Sequence, residues 1–135
     1  MSSLTTYLKD ALYNHVLRNT SYTSPTTVYL GLMTDNPTDA GLQTAEVDDH
    51  PNYTSGYSRQ AIAFDAPSDG SGSNSAEESF GAVVTTGSMT ITHVALFDAA
   101  TAGNMLMYAA LTSTKEISNG DIFKYPAGNL TSEFD

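Results

Sequence analysis

The fold of this chain is decided by the stretch Ile91-Thr92-His93-Val94-Ala95-Leu96-Phe97-Asp98-Ala99-Ala100-Thr101-Ala102-Gly103-Asn104-Met105-Leu106-Met107-Tyr108-Ala109-Ala110-Leu111. Two apolar runs that suit β-strands lie on either side of a small polar turn of Asp, Ala, Thr, Gly and Asn residues. This pattern predicts an antiparallel hairpin over residues 90–111. The strongest local signal in the sequence is therefore architectural rather than catalytic.

The composition is that of one small domain without covalent cross-links. A chain of 135 residues, 40% of them hydrophobic, is long enough to bury a modest core, so we predict a single domain over residues 1–135. The chain contains no cysteine, which excludes disulfides and cysteine-ligated metals. The eight tyrosines suit a surface that is buried against partners, because tyrosine has an apolar body and a polar tip.

Charge and hydropathy argue against nucleic acids and membranes as partners. Fifteen acidic and five basic residues give a formal charge of −10, which repels nucleic-acid phosphates. No apolar run approaches the roughly 18 residues that a membrane span requires. The first residues, Met1-Ser2-Ser3-Leu4, lack the features of a signal peptide, so we expect the protein to be made and kept in a cytoplasm.

An amphipathic helix is predicted over residues 4–18. Its apolar face consists of residues at helical spacing, namely Leu4, Leu8, Ala11, Leu12, His15 and Val16. Ser3 is the predicted N-cap, and Arg18 and Asn19 stand where the helix should end.

The chain after this helix is predicted to consist of strands and loops. The first segments are a central strand at 26–34, a long polar loop at 35–56, a strand at 57–65, a flexible loop at 66–79 and a short strand at 80–84. Alternation in the strand at 57–65 directs Ile62 and Phe64 toward the core.

A second hairpin is predicted after the first. Residues 112–117 and 122–125 would be its strands, closed by Asn119-Gly120, a dipeptide that favours positive φ at both positions. A last strand is predicted at 130–134. About seven short strands over residues 26–134, behind one helix, indicate a mainly β fold: a small antiparallel β-sandwich or barrel with one N-terminal amphipathic helix.

Three groups of residues contain side chains that could bind a metal ion. Asp69-Gly70-Ser71-Gly72-Ser73 has the D-x-S-x-S pattern, but its surroundings are those of a Gly/Ser-rich loop. The carboxylates Asp35, Asp39, Glu46, Asp48 and Asp49 lack the spacing of a calcium loop and are expected to be solvated. The histidines His15, His50 and His93 are isolated in sequence; His15 and His93 are expected to be packed and hydrogen-bonded.

No catalytic, cofactor-binding or metal-binding residue is predicted. The chain has no G-x-S-x-G nucleophile motif and no Gly-rich phosphate loop, so we expect a protein that is not an enzyme and needs no cofactor. Arg59 is one of five cations among fifteen anions and is expected to form a structural ion pair, with Asp98 or Asp65 as candidate partners.

Several segments together resemble small bacteriophage virion proteins that are commonly labelled phage tail fibre proteins. The resemblance rests on Tyr7-Leu8, Ala11-Leu12, Asn14 to Thr20, Tyr22 to Pro25, Thr27 to Leu30, Tyr57 to Ala61, Ala66-Pro67, Ile91 to Ala100, Gly103-Asn104 and Pro126 to Gly128. The loop from Leu42 to Tyr53 is longer and more acidic than this family leads us to expect.

The resemblance implies a structural component of a tailed phage, made in the bacterial host and carried in the virion. We expect it to form homo-oligomers and to contact other virion proteins at the tail, neck or fibre attachment region. A capsid decoration protein is the first alternative, since such a protein is also small, acidic and rich in β-structure. A host-receptor or glycan-binding module is the second. The partner-binding residues are unknown from the sequence.

Overall fold

A computed structural model describes residues 2–134 and shows a mainly β architecture with one α-helix in that range. The elements are β1 (Ser2–Leu4), α1 (Thr6–Leu17), β2 (Val28–Met33), β3 (Tyr53–Ser55), β4 (Gln60–Ile62), β5 (Ser71–Ser73), β6 (Glu78–Ser79), β7 (Val84–Thr85), β8 (Met89–Phe97), β9 (Met105–Ile117), β10 (Lys124–Tyr125) and β11 (Thr131–Glu133). Two short 3-10 helices, Gln43–Ala45 and Val47–Asp49, lie between β2 and β3.

The main sheet has five antiparallel strands in the order β1-β9-β8-β2-β4. It is open, with β1 and β4 at its edges, so the predicted small β-sandwich with an N-terminal helix is confirmed over the barrel. Three two-stranded antiparallel pairs, β10 with β6, β11 with β5 and β3 with β7, complete the described strands. The predicted strand at 26–34 is confirmed as β2, which lies inside the main sheet.

The predicted antiparallel hairpin is confirmed as β8 and β9, which lie next to each other inside the main sheet. Its register pairs Val94 with Ala109 and Leu96 with Met107. β9 does not stop at residue 111, however, because Lys115 pairs with Ile91 and Ile117 pairs with Met89. The residues assigned to a second hairpin at 112–117 are therefore the end of the first one.

Asn119-Gly120 forms a turn, but the predicted hairpin around it is wrong. The Asp121 N–H donates to the Ser118 carbonyl at 3.0 Å, and Gly120 has φ +87°. Asn119 does not share that positive φ, and β10 pairs with β6 instead of with β9. The better partner for 112–117 is β8, because extending an existing ladder costs less chain entropy than starting a new one.

A tight turn lies instead at Asp69-Gly70, inside the segment predicted to be a flexible loop. Both residues have positive φ, +52° and +76°, and Ser68 and Ser71 exchange two backbone hydrogen bonds across them. Positive φ at both central residues is the type I′ geometry of a two-residue hairpin. The flanking serines carry no apolar alternation, which is why the sequence pattern did not reveal it.

Two hydrophobic clusters cover the two faces of the main sheet. Side chains alternate along a strand, so Leu30 and Leu32 of β2 join the larger cluster and Met33 joins the smaller one. In β8, Leu96 faces the larger cluster and Phe97 the smaller one. The larger cluster lies under α1, and the smaller one is covered by Tyr29, Ala45 and Tyr108.

The helix begins at Thr5 rather than at the predicted Ser3. The Thr5 hydroxyl accepts from the Leu8 N–H and donates to the Met105 carbonyl at 2.6 Å, which ties the helix start to β9. Ser3 belongs to β1, where it pairs with Tyr108. Residues 2–4 pair with β9 at the edge of the sheet instead of extending the helix, because strand pairing gives their backbone groups hydrogen-bond partners.

Three other segments differ from the predictions, and so does the number of strands. The loop at 35–56 contains both 3-10 helices and β3, and residues 80–83 are irregular between β6 and β7. The strand predicted at 57–65 is limited to β4. The Leu32 N–H of β2 donates to the Tyr57 hydroxyl at 3.0 Å, so it does not pair with the backbone of a longer strand. Within residues 26–134 the structure has ten strands, β2 to β11, instead of the seven predicted. Ile62 is buried, and Phe64 packs against the larger cluster.

Candidate functional site

The buried polar cluster around Arg59 and Glu46 is the densest set of side-chain hydrogen bonds in the described part of the chain. Arg59 Nε donates to Glu46 Oε1 at 2.9 Å, and Arg59 Nη2 donates to Glu46 Oε2 at 2.7 Å. Both side chains are about 95% buried, at 4% and 5% exposure. Two parallel bonds between a guanidinium and a carboxylate give a strong and directional ion pair.

Arg59 uses all five of its N–H groups. Besides the two bonds to Glu46, Nη1 donates to the carbonyls of Ala99 at 2.9 Å and Ala102 at 2.8 Å. Nη2 also donates to the Gln43 side chain at 3.3 Å. The guanidinium carbon lies 3.5 Å from the centroid of the Phe97 ring, a cation–π contact. Every N–H group of the guanidinium therefore has a hydrogen-bond acceptor, and its face packs on an aromatic ring.

Tyr57 and Gly31 complete the cluster at the sheet. The Tyr57 hydroxyl donates to Glu46 Oε1 at 2.6 Å and accepts from the backbone of β2. Burial and the Glu46 carboxylate raise the pKa of Tyr57 far above its usual value, so the phenol stays protonated. A Cβ on Gly31 would lie 2.7 Å from the Phe97 ring, so only glycine fits here without a shift.

The cluster joins three segments that are distant in sequence. Glu46 lies between the two 3-10 helices, Arg59 directly precedes β4, and the accepting carbonyls belong to the β8–β9 turn. A polar recess of about 210 Å³ opens above it, and Asp48 lies in its wall. Partial desolvation of its carboxyl group and the carboxylates of Glu46 and Asp49 raise the pKa of Asp48, although the residue as a whole is exposed. Every N–H group of Arg59 is bonded within the protein and both oxygens of Glu46 accept hydrogen bonds, so the pair links these three segments.

The predicted partners of Arg59 were wrong. Asp98 instead accepts two hydrogen bonds from Asn104, at 2.7 and 3.0 Å, and closes the β8–β9 turn. Asp65 is exposed. Glu46 was grouped with the solvated acids of the loop, and its one local signal was its place between the apolar residues Ala45 and Val47.

The other candidate metal ligands are dispersed. No three His, Cys, Asp or Glu side chains come together as a metal site within residues 2–134. Asp39 is hydrogen-bonded to Lys9 and Tyr108, which lowers its pKa. Asp35, Asp48 and Asp49 are exposed.

The three histidines lie apart and each accepts or shares one hydrogen bond. His15 is exposed rather than packed as predicted, and its Nδ1 accepts from the Tyr22 N–H at 3.2 Å. His50 Nδ1 accepts from the Asn52 N–H at 3.1 Å. His93 is half-buried in β8, bonded to Thr92, and burial lowers its pKa.

An exposed apolar surface lies on the C-terminal half of α1. Tyr13, Val16 and Leu17 are 59%, 71% and 67% exposed and stand at i, i+3 and i+4, so they form one stripe, called here the α1 stripe. The sequence pattern placed Val16 on the buried face, but the buried face ends with Leu8 and Leu12. The overlooked signal was the apolar spacing of Tyr13, Val16 and Leu17, which extends the apolar surface around the helix from Leu12.

An apolar cleft of about 550 Å³ lies beside the same helix and is called here the α1 cleft. Leu12, Tyr22, Phe64 and Phe134 contribute to its lining, together with Leu106 of β9. Asp65 and Ser132 also line it. Phe134 is 52% exposed, so the cleft presents aromatic surface to the outside.

The comparison with known families decides the class of the protein. Residues 3–133 match the family model described as podophage GP4 fiber I protein gp80, which leaves only two residues at each end of the chain. The chain belongs to this family. No curated protein matches the chain closely enough to count as a relative.

As a member of the gp80 fibre family, the chain is a phage structural protein of the fibre type and a component of the virion. The resemblance to phage tail fibre proteins is confirmed at this level, and the family is not a known enzyme family. The helix of the described residues is too short to cross a membrane.

Proposed function

We propose that this gp80-family protein is a non-enzymatic structural subunit that associates with copies of itself and docks at the tail, neck or fibre attachment region of the phage. The observation that carries the proposal is the α1 stripe in a member of a fibre family. Soluble proteins seldom group large exposed apolar side chains in one place unless a partner covers them.

The two faces of the molecule suit different tasks in this proposal. The buried Arg59–Glu46 cluster holds the acidic loop and the β8–β9 turn rigidly on one side of the sheet. The α1 stripe lies on the helix and the α1 cleft lies beside it. The helix packs on the larger hydrophobic cluster, on the other face of the sheet. A rigid frame that presents an apolar patch supports binding by shape complementarity, with polar contacts at the rim.

Gold-labelled antibody against the protein, imaged on intact phage particles by electron microscopy, tests the location. We expect label at the tail, neck or fibre attachment region, and antibody preincubated with purified protein is the control. Label spread over the head would replace this proposal with capsid decoration. Binding of the purified protein to host cells, competed by surface polysaccharide, would support a receptor-binding role instead.

A further inference from the structure

The α1 cleft has the lining of a site for protein side chains rather than for a small polar ligand. Its walls carry Tyr22, Phe64 and Phe134, and its polar side chains besides the Tyr22 hydroxyl are Asp65 and Ser132. Specific small-molecule sites place several convergent polar groups around an apolar pocket. Here most of the lining is apolar and few polar side chains contribute to it, which favours apolar side chains of a protein as the occupant.

The α1 stripe supplies exposed apolar side chains of this kind, and it lies next to the α1 cleft on the same helix. Val16 follows Leu12, which lines the cleft, by one helical turn. Because the exposed α1 stripe adjoins the apolar α1 cleft, the surface of the protein is complementary to itself. In a pair of copies related by a two-fold axis, each copy can insert its α1 stripe into the α1 cleft of the other.

Charge favours a second copy with this orientation. Arg18 ends the helix beside the stripe, and its guanidinium donates to the Asn14 side chain at 2.9 Å. Within residues 2–134 Arg18 and Lys115 form no ion pair, whereas Lys9, Arg59 and Lys124 each have one, and only Arg18 of the two lies beside the stripe. The exposed residue Asp65 is part of the lining of the cleft and supplies a negative charge there. In a chain of net charge −10, this pairing offsets the repulsion between copies.

We infer that the α1 cleft receives Tyr13, Val16 and Leu17 of a second copy of this chain, with Arg18 of each copy facing Asp65 of the other. This inference rests on the self-association proposed above and assigns it to named residues. The contact is reciprocal, so each copy both inserts its stripe and accepts its neighbour's stripe.

Sedimentation equilibrium of the purified full chain tests the apolar contact. Leu17→Asp and Val16→Asp should each raise the dissociation constant about tenfold or more, because a charge replaces an apolar side chain in a desolvated contact. Ile122→Asp is the matched control, since Ile122 is 55% exposed and lies outside both the stripe and the cleft. Circular dichroism verifies that all three variants are folded.

A charge exchange tests the orientation without altering the apolar surface. Arg18→Glu should weaken association several-fold, and adding Asp65→Arg to that variant should restore it. Failure of the double variant to associate better than Arg18→Glu would overturn the proposed pairing.

The results also separate this inference from the proposed function. A wild-type chain that stays monomeric at all concentrations would overturn both the inference and the proposed self-association. Self-association that Leu17→Asp and Ile122→Asp leave equally intact would overturn the inference alone. A third result would be that the Leu17→Asp variant self-associates normally but is absent from phage particles. This would mean that another virion protein covers the α1 stripe, and it would also overturn the inference.

Discussion

The carboxylate of Glu46 and the guanidinium of Arg59 meet through two hydrogen bonds in the interior, although 13 positions separate them in the chain. This contact fixes the acidic segment between β2 and β3 onto the main sheet. Through the carbonyls of Ala99 and Ala102 it also holds the β8–β9 turn. Such a buried pair specifies geometry, because each charge is satisfied only in one arrangement of its partners.

Glu46→Ala should lower the free energy of unfolding by about 3–5 kcal/mol, measured by urea denaturation. The substitution leaves the Arg59 cation buried without its counter-charge, which is the costly way to break such a pair. Lys9→Ala is the control, because the Lys9–Asp39 pair is about half exposed and solvent screening should make its contribution to stability small. Equal losses from the two variants would contradict the structural role of the buried pair.

Gly31→Ala should destabilise the protein by about 1–3 kcal/mol in the same measurement. The added Cβ would lie 2.7 Å from the Phe97 ring and 3.1 Å from both Glu46 Oε1 and the Tyr57 hydroxyl. Gly81→Ala is the matched control, since its Cβ would meet its nearest atom at an ordinary 3.6 Å. If Gly31→Ala were as stable as the control, the packing around the ion pair would be looser than described.

Alkaline pH should destabilise the protein partly through Tyr57. Its pKa is raised in the folded state, so its contribution is fully present below the ordinary value of 10.0 and is lost as pH rises above it. One phenol that ionises only on unfolding lowers the free energy of unfolding by about 1.4 kcal/mol per pH unit. Tyr57→Phe should therefore show a shallower decline between about pH 10 and 11. Parallel curves for the two proteins would show that Tyr57 ionises equally in both states.

Gly120→Val should cost about 1 kcal/mol or more of stability. Gly120 has φ +87°, and no atom lies within 4 Å of an added Cβ, so the effect comes from the backbone alone. Gly120→Asn should cost less, because asparagine tolerates positive φ better than a β-branched residue. Thermal unfolding of both variants measures the difference, and an unchanged stability of the valine variant would exclude the positive φ.

Thr5→Val should destabilise the protein by about 1–3 kcal/mol, while Thr5→Ser should stay close to wild type. Valine has the shape of threonine but lacks the hydroxyl that caps α1 and donates to Met105. Hydrogen exchange of the first helical turn is the second readout, and it should accelerate in Thr5→Val. Similar behaviour of the valine and serine variants would show that the hydroxyl contributes little.

Local patterns predicted the elements whose partners are close in sequence. The β8–β9 hairpin could be predicted because two apolar runs and their turn lie within 21 residues, and β2 could be predicted because its apolar content suits a buried strand. The helix was found with its end nearly right. Its start was misplaced because Thr5 is selected by a contact with Met105, which lies 100 positions away in the chain.

The turns show how a local signal fails without its context. Asn119-Gly120 has the favoured hairpin dipeptide, yet its flanking segments pair with β8 and β6. Asp69-Gly70 lacks apolar flanks, yet it forms the two-residue turn with positive φ at both positions. Dipeptide chemistry sets which φ values are accessible, whereas the strand partners decide whether a hairpin forms.

The sequence by itself determined the fold class, the absence of cysteine chemistry, the acidic charge and the central hairpin, because these depend on composition and on short-range periodicity. Tertiary structure alone decided that Glu46, among five acids of one loop, is the partner of Arg59. It also decided that Val16 and Leu17 face outward beside an apolar cleft. Burial of a charge and exposure of an apolar side chain depend on which distant segments pack over each residue. The spacing of residues that are close in the chain does not predict those long-range contacts.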